Sequence, residues 1–406
     1  MRGALARSPW RAIAWVCAAH VASMSGFSTY PALLPLLQSE WGMSNTVAGF
    51  VSGLFFAGYM AAVPVLTTLT DRVDARRIYL ASSLVAAAGS AGFAWLAEGP
   101  ATAGFFQLLA GVGIAGTYMP GLRALTDNLH GPAQSRAVSF YTAFFGVGVS
   151  LSLVLAAEIA ASSGWPAAFA VSAVGPLVAA AMVLAGLPPR TPPTPAAADQ
   201  ARLLDFRPVF RNRDAGRYIY GYAVHCWELF GSRSWMVAFL TFAQSLVSAP
   251  LSPAVIQAIA NLASPLASIT GNEAALRIGR ARVIAIGMML SGALTCALGF
   301  MAGAPWLLLV AVVVLHMTLV MSDSSTLTAG MVAASHAAAR GATMAVHSTL
   351  GFGAGFVSPL VFGAALDLAG GNQSDIAWGV AFVTLGIGAL LAPTVLGFTR
   401  SAARGR

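Results

Sequence analysis

The chain has 406 residues, 57% hydrophobic and only 9% charged, with a formal net charge of +8 carried entirely by arginine, since there is no lysine. Its 42 glycines raise the apolar share to about two thirds, against about half in a soluble domain, so a soluble globule and a disordered chain are both excluded. The positive charges lie between hydrophobic runs, as on a cytoplasmic membrane face, and no nucleic-acid partner is expected.

A bilayer core asks for about 20 apolar residues per helix. Runs of that size predict twelve spans, at about 11–37, 46–69, 77–97, 102–126, 137–159, 166–187, 217–247, 253–271, 283–303, 305–331, 341–367 and 376–398. The expected fold is therefore an all-α membrane protein. The first run follows arginines as a signal peptide would, but it is too long for one and is expected to remain a helix. With both termini placed in the cytoplasm, 21 of 22 arginines fall on that side or at helix ends facing it. Glu40, Glu98, Glu158, Asp367 and Asp375 cluster at the outer ends. This bias predicts a multi-pass protein of the plasma (inner) membrane with both termini inside.

A proline- and arginine-rich stretch from Pro188 divides the chain. Residues 1–187 are expected to form an N-terminal six-helix bundle, 188–216 a cytoplasmic central loop and 217–406 a C-terminal six-helix bundle. Cys17, Cys226 and Cys296 lie in apolar stretches without CxxC or Cys/His spacing, so neither a disulfide nor a metal site is expected, and no cofactor.

The halves repeat at an offset of about 205 residues. His20, Gly26 and Tyr30 of the first span match His225, Gly231 and Trp235 of the seventh. DRVDARR from Asp71 matches LRIGRAR from Leu276, and Gly146 and Gly148 match Gly351 and Gly353. Duplicated bundles can rock about a site between them, which is how many secondary carriers alternate access. Gly49, Gly53 and Ala57 on the second span, and Gly351 and Gly355 on the eleventh, recur every fourth residue and would let helices approach closely.

Twelve spans in two halves, a long central loop and TTLTDRVDARR from Thr67 together resemble the major facilitator superfamily across essentially the whole chain. The family loop reads roughly G-x-L-A-D-R-x-G-R-R. Asp71, Arg72 and Arg76 keep its charge pattern, while Thr67 and Asp74 replace its glycines. The resemblance implies two pseudo-symmetric six-helix bundles and a conformational latch at Asp71, Arg72, Arg76 and Arg77. Its second copy would use Arg277, Gly279 and Arg280, with Glu273 standing in for the aspartate or pairing with Arg277 at the helix end. GWPAAF from Gly164 is similar to the family's start of the sixth span. Two features depart from the drug–proton antiporters. Gln107 replaces the fourth-span arginine, and FFGVGVSLS from Phe144 lacks the G-P-x-x-G-G segment.

An ionisable residue at mid-bilayer costs several kcal/mol and needs a partner or a function. The seventh span, RYIYGYAVHCWELFGSRSW from Arg217, holds most of them. His225, Glu228 and Ser232 share a helix face, and a break at Gly231 would turn Arg233 toward the same cavity. Arg233 is expected to anchor an anionic substrate through its planar fork; the alternative is an ion pair with Glu228 or Asp323. Glu228 and Asp323 are candidates for proton coupling, with His316, seven residues before Asp323, as a relay; the alternative for Asp323 is a carboxylate satisfied by the hydroxyls of DSSTLT. His20, His225, Tyr30, Trp235 and Ser232 are candidate pocket residues, or else packing residues, and Arg123 is expected to snorkel.

These residues point to a secondary active transporter moving a small organic anion by alternating access, with protons as the coupling ion. The alternatives are a drug or metabolite exporter working as a proton antiporter, and a polytopic membrane enzyme. No HExxH, GxSxG or phosphate-cradling motif is present, so no enzyme is expected. The expected partners are a small anionic solute, protons and the lipid bilayer.

Overall fold

The computed structural model describes residues 9–70, 72–126, 132–187, 189, 206–247, 249–336 and 339–404. They form helices α1 (Pro9–Ser23), α2 (Thr29–Glu40), α3 (Asn45–Leu69), α4 (Ala75–Leu96), α5 (Pro100–Thr126) and α6 (Pro132–Gly186). After the central segment come α7 (Arg207–Arg211), α8 (Arg213–Leu246), α9 (Pro253–Ile278) and α10 (Arg280–Leu298). The chain ends with α11 (Trp306–Met321), α12 (Ser324–Ala334), α13 (Arg340–Leu368), α14 (Asp375–Val395) and α15 (Phe398–Arg404). There is no strand among the described residues.

Each of the twelve expected spans has its helix. Nine helical stretches among the described residues are long and apolar enough to cross a membrane. The other three have plain reasons. The fifth and sixth spans run together in α6 and turn at Gly164, whose φ of 81° is open to glycine. The first span is broken between α1 and α2, and α8 carries too many polar residues to pass as apolar. The chain is a multi-pass membrane protein.

The expected break at Gly231 is absent. Helix α8 runs unbroken from Arg213 to Leu246, and Gly231 instead makes room for the Leu385 side chain of α14. The interrupted spans are the first, at residues 24–28, and the tenth, at residues 322–323. In the first, hydroxyls replace the lost helical bonds. Ser28 N donates to Ser152 Oγ (3.0 Å), Ser152 Oγ donates to the Ser25 carbonyl (2.7 Å), and Ser25 Oγ donates to the Ser172 carbonyl (2.8 Å). Such rescue is what an irregular backbone needs where water is scarce. The tenth span breaks just before α12, beside Asp323.

Contacts sort the chain into two units, Met1–Leu33 with Leu54–Leu203, and Leu34–Gly53 with Leu204–Arg406. A boundary at the central loop accounts for this division except for Leu34–Gly53, which joins the second unit. The first unit packs Ile13, Val16, Tyr79, Leu125, Tyr141 and Val183 into one apolar core.

Two kinds of contact hold Leu34–Gly53 in the second unit. Gly49 and Gly53 let α3 meet the backbone of α13, since a Cβ on either would run into the carbonyl oxygens of Pro359 and Phe356. At the start of α3, the Asp367 carboxylate accepts four hydrogen bonds: Asn45 N (3.1 Å), Asn45 Nδ2 (2.8 Å), Thr46 N (2.8 Å) and Thr46 Oγ1 (2.6 Å). Ser44 Oγ takes Val47 N (3.2 Å). The first three N–H groups of α3, which a helix cannot satisfy internally, are thus all capped, two of them by a residue over 300 positions away. Asp367→Ala is expected to weaken this cap by about 1 kcal/mol, because the exposed carboxylate is partly screened. Amide exchange at residues 45 and 46 should then speed up by roughly fivefold. Unchanged exchange would mean that water serves these donors equally well.

Candidate functional site

Three polar clusters branch from α8 in the second unit, each toward a different neighbour. Polar groups three to eight positions apart on one helix point in several directions, and each has found its own partner.

His225 faces the break in the tenth span. Its Nδ1 lies 2.8 Å from Asp323 Oδ1. Both side chains are almost wholly buried. The hydroxyls of DSSTLT do not cover that oxygen, which accepts no hydrogen bond among the described residues. Tyr222 stacks on His225 (centroids 5.7 Å apart) and on His347 (3.9 Å), and Gly351 leaves space for the Tyr222 ring.

Among the described residues His316 makes no hydrogen bond to Asp323. It is fully buried with both ring nitrogens unpartnered among the described residues, and the helix ends between the two, so their spacing is not two regular turns.

Glu228 points instead to α10. Thr295 Oγ1 donates to one carboxylate oxygen (2.6 Å) and Ser291 Oγ to the other (2.9 Å). Ser291 and Thr295 are four residues apart, so a single helix face presents both hydroxyls.

Arg233 points to α9. Its Nε donates to Asn261 Oδ1 (3.0 Å), and Gln257 Nε2 donates to the Arg233 carbonyl (3.0 Å). Gln257 and Asn261 are again four apart. Arg233 is 6% exposed, and among the described residues it meets no carboxylate. The pair with Glu228 or Asp323 is therefore not formed, because each acid is held elsewhere. Asn261 Nδ2, Gln257 Oε1 and the hydroxyl of Ser232 are buried with no hydrogen-bond partner among the described residues.

Four partners, Ser291, Thr295, Gln257 and Asn261, escaped the sequence reading. The available signal was a pair of polar residues at i and i+4 inside an otherwise apolar span.

The other candidate pocket residues pack. Trp235 is fully buried, donates Nε1 to the Pro359 carbonyl (2.9 Å) and stacks on Phe362. Tyr30, its counterpart in the first unit, lies buried and edge-on to Phe93. His20 stacks on Tyr141 (4.2 Å) with both nitrogens unpartnered among the described residues.

Of the latch, Asp71 lies outside the described residues. Arg76 is buried and donates Nη2 to the Leu184 carbonyl (2.9 Å), tying the loop to the end of α6. Asp74, in a family glycine position, caps α4 by accepting from Arg76 N (3.0 Å). Arg72 and Arg77 are exposed. Arg123 does not snorkel freely; its Nη1 donates to Thr70 Oγ1 (2.6 Å).

In the second copy Gly279 makes the turn between α9 and α10 with a φ of 94°, and Arg280 Nε is buried without a partner among the described residues. The expected Glu273–Arg277 pair is not formed. Both side chains are exposed, where such a pair gains too little to hold two long chains together.

Comparison with known proteins agrees with this architecture. The family model described as Major Facilitator Superfamily matches residues 15–261. The benzoate transport protein of Acinetobacter baylyi is 26% identical over 157 residues, a match taking in 37% of this chain and 33% of that protein. Among solved structures, the POT family transporter PepTSo aligns with a TM-score of 0.74 at 15% identity, covering 98% of this chain and 99% of that one. The nucleoside transporter NupG aligns with a TM-score of 0.74 at 14% identity, covering 97% and 100%. The family match shows that the chain belongs to the Major Facilitator Superfamily, a transporter and not an enzyme.

Proposed function

We propose that the chain is a secondary carrier of a small organic anion, with Arg233 as the anion anchor and proton coupling at His225 and Asp323, Glu228 being a second carboxylate of the same helix system. One observation carries the reading: Arg233 is a buried cation whose neighbours are amides rather than acids. A guanidinium keeps its charge at any depth, and a buried charge without a counter-ion costs several kcal/mol. A substrate carboxylate would supply that counter-ion through two parallel hydrogen bonds. The benzoate carrier among its relatives supports an organic anion, and the missing antiporter segment at Phe144 speaks against a drug exporter. The arginine distribution supports an inner-membrane protein with both termini in the cytoplasm.

The test is uptake into proteoliposomes of benzoate, aliphatic mono- and dicarboxylates, inorganic anions and cationic drugs, each with and without a pH gradient. Accumulation of an organic acid that collapses with the gradient is the expected result. Uptake of cationic drugs in exchange for protons, with no organic acid moved, would replace the reading with that of an exporter.

A further inference from the structure

We infer that the carried acid bears a hydroxyl group, received by the amides of Gln257 and Asn261 beside Arg233, an inference that rests on Arg233 as the anion anchor.

Helix α9 has two unlike faces. Leu262, Leu266 and Ile269 are exposed on one, while Gln257, Asn261, Ser264 and Ser268, spaced four, three and four apart, are buried on the other. Two of these four are satisfied: Ser264 Oγ donates to the Ala260 carbonyl (3.3 Å), and the Ser268 hydroxyl pairs with that of Ser325. Gln257 and Asn261 are each half satisfied, and both through Arg233. The Asn261 atom that accepts from Arg233 Nε is an acceptor and therefore the amide oxygen. The Gln257 atom that donates to the Arg233 carbonyl is a donor and therefore the amide nitrogen. Neither amide can be turned over without losing that bond. What each has left is thereby fixed: the Asn261 NH2 to give and the Gln257 carbonyl to receive. Both are buried without a partner among the described residues.

A buried donor or acceptor left unpaired costs the full desolvation of that group, so a donor and an acceptor one turn apart on a helix ask for a partner that serves both. A hydroxyl does so with a single oxygen, accepting from Asn261 and donating to Gln257. A keto or ether oxygen only accepts. An ammonium only donates, and the neighbouring guanidinium repels it. The carboxylate of the same molecule has its own place. Asn261 occupies Arg233 Nε, whereas among the described residues neither Nη nitrogen has a hydrogen-bond partner, and neither is shut off as the amide atoms are. The fork therefore takes a carboxylate end-on, through its two Nη groups. The free amide atoms are closed to solvent, so a hydroxyl seated on them is closed to water as well, where an analogue without it is rejected most strongly.

The experiment measures initial uptake rates into proteoliposomes of the purified full chain. The probes are matched acids: butyrate with its hydroxy and 2-oxo derivatives, succinate with malate, and benzoate with the three hydroxybenzoates. At least one hydroxylated acid is expected to have a KM roughly 30-fold below that of its parent acid, which is what two neutral hydrogen bonds contribute. The oxo acid, which can only accept, should gain nothing over butyrate. Gln257→Leu should cut the preference to roughly fivefold, since one of the two bonds remains. That variant is also expected to be less stable, because Nε2 no longer holds the Arg233 carbonyl. A ratio of KM values taken within one variant does not depend on how much of it is folded. Asn261→Gln, which keeps an acceptor for Nε but displaces the NH2 by a methylene, should lower the ratio in the same way. Equal KM for hydroxylated and parent acids in all three series, as when water serves both amides, would overturn the hydroxyl reading and leave the Arg233 anchor standing. So would a preference that survives both variants, which would place the hydroxyl elsewhere. If none of these acids is taken up, the anion-carrier reading falls and takes the hydroxyl reading with it.

Discussion

Arg233→Lys is expected to raise the apparent KM for the organic anion by roughly 10- to 100-fold, with membrane insertion and thermal stability close to those of the parent. The magnitude follows from what lysine cannot do. An ammonium keeps the charge but loses the planar fork, so a two-bond grip on a carboxylate becomes a single contact. A hydrogen bond to a charged group contributes about 1.5–3 kcal/mol, and 1.4 kcal/mol is tenfold in affinity. Lysine also lacks the Nε donor that meets Asn261 Oδ1 at 3.0 Å, so the side chain is no longer held in register. A merely structural arginine gives a different pattern, in which stability falls and KM stays put. Measuring initial uptake rates against substrate concentration, beside unfolding without substrate, separates the two. An unchanged KM would remove Arg233 from the binding site.

Asn261→Leu gives an independent check on the same cluster. It leaves the guanidinium in place but frees its Nε, so the loss should appear in KM and be smaller than for Arg233→Lys. Asn261→Gln, which keeps the carbonyl acceptor, should restore part of it. Gln257 holds the backbone of Arg233 rather than its side chain, and its removal should act chiefly on stability.

What was legible in the sequence was whatever depends on local chemistry alone. A run of bilayer length announces a span without any knowledge of its neighbours, and all twelve spans have their helices. The seventh span's polar load was equally local. The break in the first span was not, because the groups that stabilise it, Ser152 and Ser172, stand more than 120 residues from Ser25. Nothing in SMSGFST says that distant hydroxyls will take over its backbone bonds. The same applies to Leu34–Gly53, whose affiliation depends on Asp367 and the carbonyls of Pro359 and Phe356. In the candidate site, the sequence shows which polar residues α8 carries but not the partners they meet. It offered an ion pair of Arg233 with Glu228 or Asp323 as the alternative to an anion anchor. The structure gives each its own: two hydroxyls for Glu228, an amide for Arg233 and an imidazole for Asp323.

That separation sets the expected outcome of neutralising the acids one at a time. Asp323→Asn should reduce pH-gradient-driven uptake by at least tenfold while substrate counterflow, which needs no net proton movement, continues. Asp323 lies 2.8 Å from the Nδ1 of His225, the one acid–imidazole contact of this constellation among the described residues. An asparagine at the break before α12 preserves size and polarity but carries no exchangeable charge, and His225 is then left without an acid. Glu228→Gln should do much less. Both of its oxygens accept from hydroxyls, and either Ser291 or Thr295 can rotate its hydroxyl to accept from the new amide, so the cluster stays satisfied. The measurement is uptake with an imposed pH gradient beside counterflow at equal pH, in the same vesicles. If Asp323→Asn keeps its response to the gradient, the His225–Asp323 pair does not couple protons. If Glu228→Gln alone loses that response, coupling belongs to the hydroxyl-bound carboxylate. If both variants lose counterflow as well, the acids serve the substrate step instead of the proton step.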